Sequence, residues 1–268
     1  MTIELNRIYN EDCLVGMRKI ADRSVDLTVT SPPYDNLRKY NGYAFDFESV
    51  ARELYRITKP GGVIVWVVGD ATVNGSETLT SFKQALFFKE IGFNVHDTMI
   101  YEKENPVPLT HNRYEQKFEY MFVFSKGRPT VFNPIMEATS RPGESRRGYS
   151  KPREQTTEAS RTRTDTIITK SERRRFNIWR YAVGRGGSTR DSVAFQHPAI
   201  FPERLAYDHI ISWSNRGDVV FDPFMGSGTT AKMSIISGRQ YLGFEVSEEY
   251  VGIARQRLAA LTPVDTAA

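Results

Sequence analysis

An α/β protein with a largely parallel sheet covered by helices is the fold class this sequence predicts. Three observations carry that prediction: short β-branched runs alternate with amphipathic segments, two of these runs lead straight into Pro- or Gly-rich turns, and an arginine-rich stretch poor in apolar residues separates the alternating parts. Val25–Thr30 is the first candidate strand. Phe47, Val50, Ala51, Leu54, Tyr55 and Ile57 then recur at helical spacing, and Lys59-Pro60-Gly61-Gly62 stops that helix with both usual breakers. Val63–Val68 is the next strand, followed by a helix over Ser81–Ile91 that Gly92 terminates. Asn94–Tyr101 and Glu119–Phe124 complete the strands before the arginine-rich stretch. Beyond it come Val219–Phe221, a helix from Thr229 through Ser237, and Tyr241–Glu245. A last helix over Glu248–Leu261 is capped by Ser247, with Glu248 and Glu249 beside the positive end of its dipole.

The chain has 268 residues, of which 40% are hydrophobic and 25% charged, the balance of a globular protein and not of a fibrous or wholly disordered one. Its longest strongly apolar run, Val63–Val68, falls far short of the roughly 20 residues a spanning helix needs, and Glu4, Glu11 and Asp12 interrupt any signal peptide. A cytoplasmic protein without a membrane partner is therefore expected. A lone cysteine, Cys13, excludes an internal disulfide and a clustered thiolate zinc site; its expected role is core packing, and no metal is expected.

Charge is unevenly placed. The whole chain carries only +4, yet Arg128–Arg190 holds 15 basic and 6 acidic residues, a net of +9 that leaves −5 on the other 205 residues. Within it, Glu137–Thr166 contributes only Ala138, Tyr149 and Ala159 as apolar side chains, too few to offset the entropy of ordering, so this stretch is expected to stay mobile until something anionic binds. A solvated linker would have the same composition. Arginine dominance points instead to a polyanion, DNA above all, because the guanidinium fork pairs with phosphate oxygens and with the guanine edge. Arg141, Arg146, Arg147, Arg153, Arg161, Arg163, Arg173, Arg174 and Arg175 are the candidate DNA contacts.

Two motifs carry chemistry. Thr30-Ser31-Pro32-Pro33-Tyr34 directly follows a predicted parallel strand, at the carboxyl end where such sheets bind ligands. The prolines donate no backbone hydrogen bond, which leaves the Ser31 hydroxyl and the Pro32 carbonyl as acceptors and the Tyr34 ring as a stacking face. A planar heterocycle with an exocyclic amino group suits that set, although Pro-Pro also serves simply to stiffen a loop. The second motif, Phe221-Asp222-Pro223-Phe224-Met225-Gly226-Ser227-Gly228-Thr229-Thr230, runs from strand through a Gly-rich turn into a helix. Its glycines allow close backbone approach, and Glu245, about 23 residues on, has the spacing of an acid that bonds ribose hydroxyls. No Gly-Lys-Ser/Thr is present, which disfavours a P-loop; a ligand with adenosine, carboxylate and cation fits better.

Together and in this order, the two motifs resemble the S-adenosyl-L-methionine-dependent DNA amino-methyltransferases, in the circularly permuted β group. Asn10–Leu14, Phe118–Lys126 and His197–Pro202 are similar to further segments of that family. The resemblance implies a permuted Rossmann-like sheet, mostly parallel and of about seven strands. It assigns a catalytic half to residues 1–127, a basic target-recognition insert to 128–190 and a cofactor half to 191–268. It implies that Asp222, Gly226 and Gly228 hold the methionine end of the cofactor, Glu245 its ribose and Asp12 its adenine amino group, with Phe201 and Pro202 lining the pocket. Thr30, Pro223, Phe224 and Thr229 belong to the same cofactor set, and Ser31, Pro32, Pro33 and Tyr34 form the catalytic set.

Within that family the serine form of the motif is commoner among cytosine N4 enzymes, so N4-methylcytosine is the expected product and adenine N6 methylation the alternative. A catalytically silent DNA-binding module and an enzyme acting on RNA or a small molecule are the rivals. Double-stranded DNA is the expected partner, with a second copy of the chain and a cognate restriction endonuclease as further candidates. Asp70, at a sheet end, is either functional or a cap.

Overall fold

The computed structural model describes residues 3–33, 45–106, 112–150 and 162–261. Its first elements are β1 (Arg7–Asn10), α1 (Cys13–Met17), β2 (Val25–Thr30), α2 (Phe47–Ile57), β3 (Thr58–Val68), a hairpin of β4 (Thr72–Val73) and β5 (Ser76–Glu77), α3 (Thr80–Glu90), β6 (Asn94–Lys103) and β7 (Phe118–Ser125). The arginine-rich stretch contributes β8 (Met136–Ala138), β9 (Ser145–Ser150), β10 (Thr162–Ile168), β11 (Glu172–Arg174) and β12 (Ile178–Tyr181). The chain ends in α4 (Glu203–Trp213), β13 (Val219–Asp222), α5 (Thr229–Ile236), β14 (Gln240–Glu245) and α6 (Glu248–Ala259).

Local chemistry explains the boundaries. Asp46 caps α2 by accepting from the Ser49 amide, and Val50, Ala51, Leu54 and Ile57 form its buried stripe. The helix ends where Thr58 turns extended, and β3 begins there, five residues ahead of the predicted Val63, so the breakers Pro60 and Gly61 lie inside the strand. Gly61 needs φ +80° for its amide to reach the Lys126 carbonyl at 2.7 Å. Asp70 proves to be a cap: it accepts from the Ser81 amide at 2.8 Å and the Ser81 hydroxyl at 2.5 Å, fixing the first turn of α3. Ser247 caps α6 through the Tyr250 amide, as its position predicts.

Eight strands, one more than expected, form the main sheet in the order β1-β14-β13-β2-β3-β7-β6-β12. All neighbours are parallel except β7, which is antiparallel to β3 and β6. The edge strands β1 and β12 are the two that hydrophobic patterning missed. Both have only four residues, and β12 hides between arginines with Trp179 and Tyr181 buried and Ile178 and Arg180 exposed. From β13 the chain steps through α5 to β14 in one direction, and from β2 through α2 to β3 in the other. The winding therefore reverses between β13 and β2, whose contact is Val220 with Leu27 and Phe221 with Thr28. Such a switch point opens a crevice at the strand ends.

Burial follows this plan. Leu27, Val29, Val65, Val220 and Phe221 are inaccessible, as central strands covered on both faces require. One face carries an aromatic cluster in which Phe88 lies 5.1 Å from Trp66 and 4.5 Å from Phe124 between ring centres. The Trp66 indole N–H donates to the buried Gln84 amide oxygen at 2.8 Å.

The described residues fall into two compact units, one made of Met1–Asn133 with Asn177–Ala268, the other of Pro134–Phe176. The smaller unit consists of two antiparallel ribbons, β8 with β11 and β9 with β10. No side chain described in it is buried, which matches its poverty in apolar residues.

Trp66→Phe should lower stability in urea melts by about 2–4 kcal/mol, because it opens a cavity and strands the Gln84 amide. Adding Gln84→Met should recover part of that loss. A double variant no better than the single one would show that the hydrogen bond is not what couples the two positions.

Candidate active site

The crevice at the switch point is built around a buried carboxylate. Asp222 ends β13 and accepts from the Thr30 hydroxyl at the end of β2 (2.7 Å), from the Thr230 hydroxyl in α5 (2.8 Å) and from the Phe224 amide (3.0 Å). Burial pushes its carboxyl up to about 6 in spite of these three donors, which pull the other way, and the nearby Glu245 charge adds to the rise. Glu245, at the end of β14, accepts from the Gly226 amide on one oxygen and the Ser247 amide on the other, both at 2.9 Å, and burial raises it as well. Two carboxylates thus face one turn. That turn needs its glycines: Gly226 has φ +50°, and at Gly228, with φ +81°, a Cβ would lie 2.8 Å from the Ala254 methyl.

A second segment closes the site from Ser188 to Pro202, running through a 3-10 turn at Ser192–Gln196. It is fastened by Arg257 of α6, whose side chain is inaccessible to solvent. Arg257 donates to the Ser227 carbonyl (2.6 Å), the Ser227 hydroxyl (3.0 Å) and the Thr229 hydroxyl (3.1 Å) of the glycine turn, and also to Asp191 (3.0 Å) and Glu203 (2.6 Å). Lys232 bonds the same two carboxylates at 2.8 Å each. His197 meets the Tyr250 ring edge-on at 4.3 Å.

These walls enclose a cavity of about 650 Å³, within the range of small-molecule sites. Ser31, Pro33, Phe201, Pro202, Asp222, Pro223, Phe224, Gly226, Thr229 and Glu245 line it, so both motifs converge on one space. Thr30 and Gly228 stand behind that lining, Thr30 holding Asp222 and Gly228 leading into α5. Pro32 is buried and does not line it. The Asp12 carboxylate accepts from the Leu14 and Val15 amides as the cap of α1, while its neighbours Glu11 and Cys13 reach the cavity. Cys13 is also part of the core, as expected. Tyr34 lies outside the described residues. Sequence reading offers Glu119 either for the target base or DNA backbone or for an ion pair; it lines the cavity and pairs with Lys103. It misses Tyr101, Lys103 and Gln116, which complete this further wall, since a tyrosine in a strand and polar residues at its end carry no signal of their own.

The candidate DNA contacts lie in the smaller unit. Arg141, Arg173 and Arg174 are exposed; Arg175 is half-buried and donates to Glu137 at 3.0 Å. Arg146 and Arg147 fall on β9 and Arg163 on β10, while Arg153 and Arg161 lie outside the described residues.

The family model described as DNA methylase, of the N6/N4 amino-methyltransferase type, matches residues 25–256. The chain belongs to that family. The orphan methyltransferase M.BamHII of Bacillus amyloliquefaciens is 57% identical over 240 residues, covering 89% of this chain and 90% of that protein. Among solved structures, the PvuII DNA methyltransferase, described as cytosine-N4-specific, has the same fold with a TM-score of 0.71 at 19% identity, covering 98% of this chain and 88% of its own. TTHA0409 of Thermus thermophilus, a putative DNA modification methylase solved with S-adenosyl-L-methionine, matches at 26% identity and a TM-score of 0.64, covering 96% and 94%. The methylase therefore has the α/β methyltransferase fold, with its Ser-Pro-Pro-Tyr strand before its glycine-turn strand in the chain and beside it in the sheet. No helix among the described residues is long and apolar enough to cross a membrane.

The Asp222 carboxyl makes a pH prediction. Between its unfolded value near 3.8 and its folded value of about 6, the unfolded state has lost the proton and the folded state still holds it. Its contribution to stability is thus complete below pH 3.8 and is lost as pH rises to about 6, a change of a few kcal/mol in order of magnitude. Asp222→Asn should lack that component, so its stability relative to the parent should rise across this window. A constant difference between about pH 4 and 6 would refute the burial of an uncompensated charge.

Proposed function

We propose that the methylase transfers the methyl group of S-adenosyl-L-methionine to the exocyclic amino nitrogen of a base extruded from double-stranded DNA, cytosine N4 in first place and adenine N6 in second. The observation that carries this reading is the convergence of Asp222, Glu245 and Ser31 on one cavity. The residues present fit the cofactor: Gly226 leaves that wall without a side chain, Asp222 offers a carboxylate to a cationic methionine end, and Glu245 keeps lone pairs for ribose hydroxyls. Asp12 is assigned to the adenine amino group, and Phe201 and Pro202 pack against the ring. When bound, the cofactor supplies a methyl group on a cationic sulfur, which a neutral nitrogen can attack.

The chain's own residues then have one task. An aromatic amino lone pair is delocalised into its ring, so the two amino hydrogens are assigned to the Ser31 hydroxyl on the cavity wall and, by the family resemblance, to the backbone carbonyl of Pro32 behind it, which aim the nitrogen at the methyl group. No strong base is required first, because the nitrogen becomes cationic as the new bond forms and sheds its proton afterwards. Ser31, where a carboxylate could stand, supports the cytosine reading. Extrusion costs a few kcal/mol, which Tyr34 stacking and phosphate contacts from the Arg128–Arg190 insert offset. Residues 1–127 act as the catalytic half and 191–268 as the cofactor half, in a cytoplasmic enzyme whose further partners are a second copy and a restriction endonuclease.

Methylating mixed DNA with labelled cofactor and identifying the modified nucleoside by mass spectrometry tests this reading. N4-methylcytosine is expected; N6-methyladenine would move the assignment to adenine, and no label in DNA would overturn it. Asp222→Ala should weaken cofactor binding at least tenfold, whereas Tyr34→Ala should spare cofactor binding and cut methylation; equal loss of both in Tyr34→Ala would contradict the stacking role.

Replacing the exposed Arg173 and Arg174 by Ala should reduce the slope of log K against log salt by about 0.9 for each phosphate that these side chains neutralise. A variant with the parent's slope would show that these arginines do not touch phosphate.

A further inference from the structure

The cavity continues beyond the glycine turn and the Ser31 turn to a wall formed by Tyr101 and Lys103 of β6, Glu119 of β7 and Gln116 before it. Sheet register brings this wall level with the catalytic turn. Thr30 pairs with Trp66, Trp66 with Phe122, and Tyr101 with Glu119, which in antiparallel β7 lies three residues further toward the ligand edge than Phe122. Tyr101 therefore stands beyond the level of Thr30, at the ligand edge where the Ser31 turn begins and three strand spacings from the line of β2, or roughly 14 Å. A planar base spans much of that gap when a tyrosine side chain enters it from the far side.

The chemistry of the wall narrows the ligand. Tyr101 is 3% exposed, lines the cavity, and its buried hydroxyl has no hydrogen-bond partner among the described residues. A stranded hydroxyl of this kind destabilises a fold, so a role in binding explains it where packing does not. Burial, with the Glu119 charge beside it, raises the phenol and keeps it a neutral donor. Lys103 and Glu119 neutralise each other at 2.7 Å. The wall as a whole thus carries no net charge and presents the Tyr101 hydroxyl as a buried donor, which suits the flat, neutral, acceptor-rich edge of a nucleobase better than a phosphate.

We infer that Tyr101 is a specificity-determining residue of the methylase, donating its hydroxyl hydrogen to a ring acceptor of the extruded base at an edge other than the amino group received by Ser31. This rests on the base-extruding reading above, and the parent enzyme tests that reading in the same experiment: a parent that leaves DNA unmethylated refutes the reading itself, whereas the inference about Tyr101 is judged by the difference between parent and Tyr101→Phe. The substrates are a duplex carrying the site at which the parent methylates DNA and the same duplex with the target base removed to leave an abasic position.

Tyr101→Phe should melt, without ligand, at the parent's temperature or above it, since the lost hydroxyl bonds nothing among the described residues. It should bind S-adenosyl-L-methionine as the parent does and bind the abasic duplex equally well. On the intact duplex it should lose about tenfold in kcat/KM. An unchanged kcat/KM, an equal loss of affinity on both duplexes, or a weakened cofactor complex would each overturn the assignment. A lower melting temperature or failure to fold would overturn it too, by showing that the hydroxyl serves the structure.

Discussion

Asp222 brings a carboxylate into the most crowded part of the sheet, and the hydroxyls of Thr30 and Thr230 meet it there on separate oxygens. Through this contact β2, from the start of the chain, is joined to β13 and α5 near its end. Thr230 also donates to the Val29 carbonyl, so the same hydroxyl ties the helix to both strands. Burial disfavours the charge, and the three donors counter only part of that cost, since the carboxyl still sits at about 6. A group held in this balance is poised to gain from a cation placed against it. The crevice follows from the reversal of winding at this point, which leaves no crossover helix covering the ends of β13 and β2.

Chain order matters little to such a site. The strand ends that build it are neighbours because of sheet order, and the motifs reach the same cavity although nearly two hundred residues separate Ser31 from Asp222. Permutation moves the chain ends and leaves the crevice in place. For the same reason an insert can enter after β7 without disturbing the site, as long as β12 returns to pair with β6, which it does from Ile178 against Ile100 to Tyr181 against Lys103.

Legibility in the sequence tracked the range of the interaction. Strands with continuous apolar runs and helices with a buried stripe and a cap could be placed from local residues alone, Val25–Thr30 to the residue. Four-residue edge strands gave too little pattern, and α4 was missed because its buried side includes Asp208, His209 and Ser212, with Asp208 accepting from the Tyr181 hydroxyl across the fold. Asp222, Glu245 and Ser31 were visible because each sits in a short motif whose spacing reflects one turn. Tyr101 was not, because what singles it out is a buried hydroxyl unmet among the described residues, a property of the assembled cavity and not of the strand.

The Arg257 cluster was equally invisible and shows how the cofactor side is held. Two cations, Arg257 and Lys232, meet two anions, Asp191 and Glu203, so the group is neutral as a whole and each charge depends on the rest. Arg257 is buried and its three companions are half-buried, so the set adds little net stability compared with apolar packing, yet removing a carboxylate would leave the buried guanidinium short of a partner and destabilise the fold. The consequence is geometric. The glycine turn, through Ser227 and Thr229, and the Ser188–Pro202 segment with the start of α4, through Asp191 and Glu203, are bound to one guanidinium, so neither shifts without breaking contacts to the other. Two loops that would otherwise move separately at the mouth of the cavity are made to act as one wall, which is the condition for Asp222 and Phe201 to meet a ligand from fixed positions.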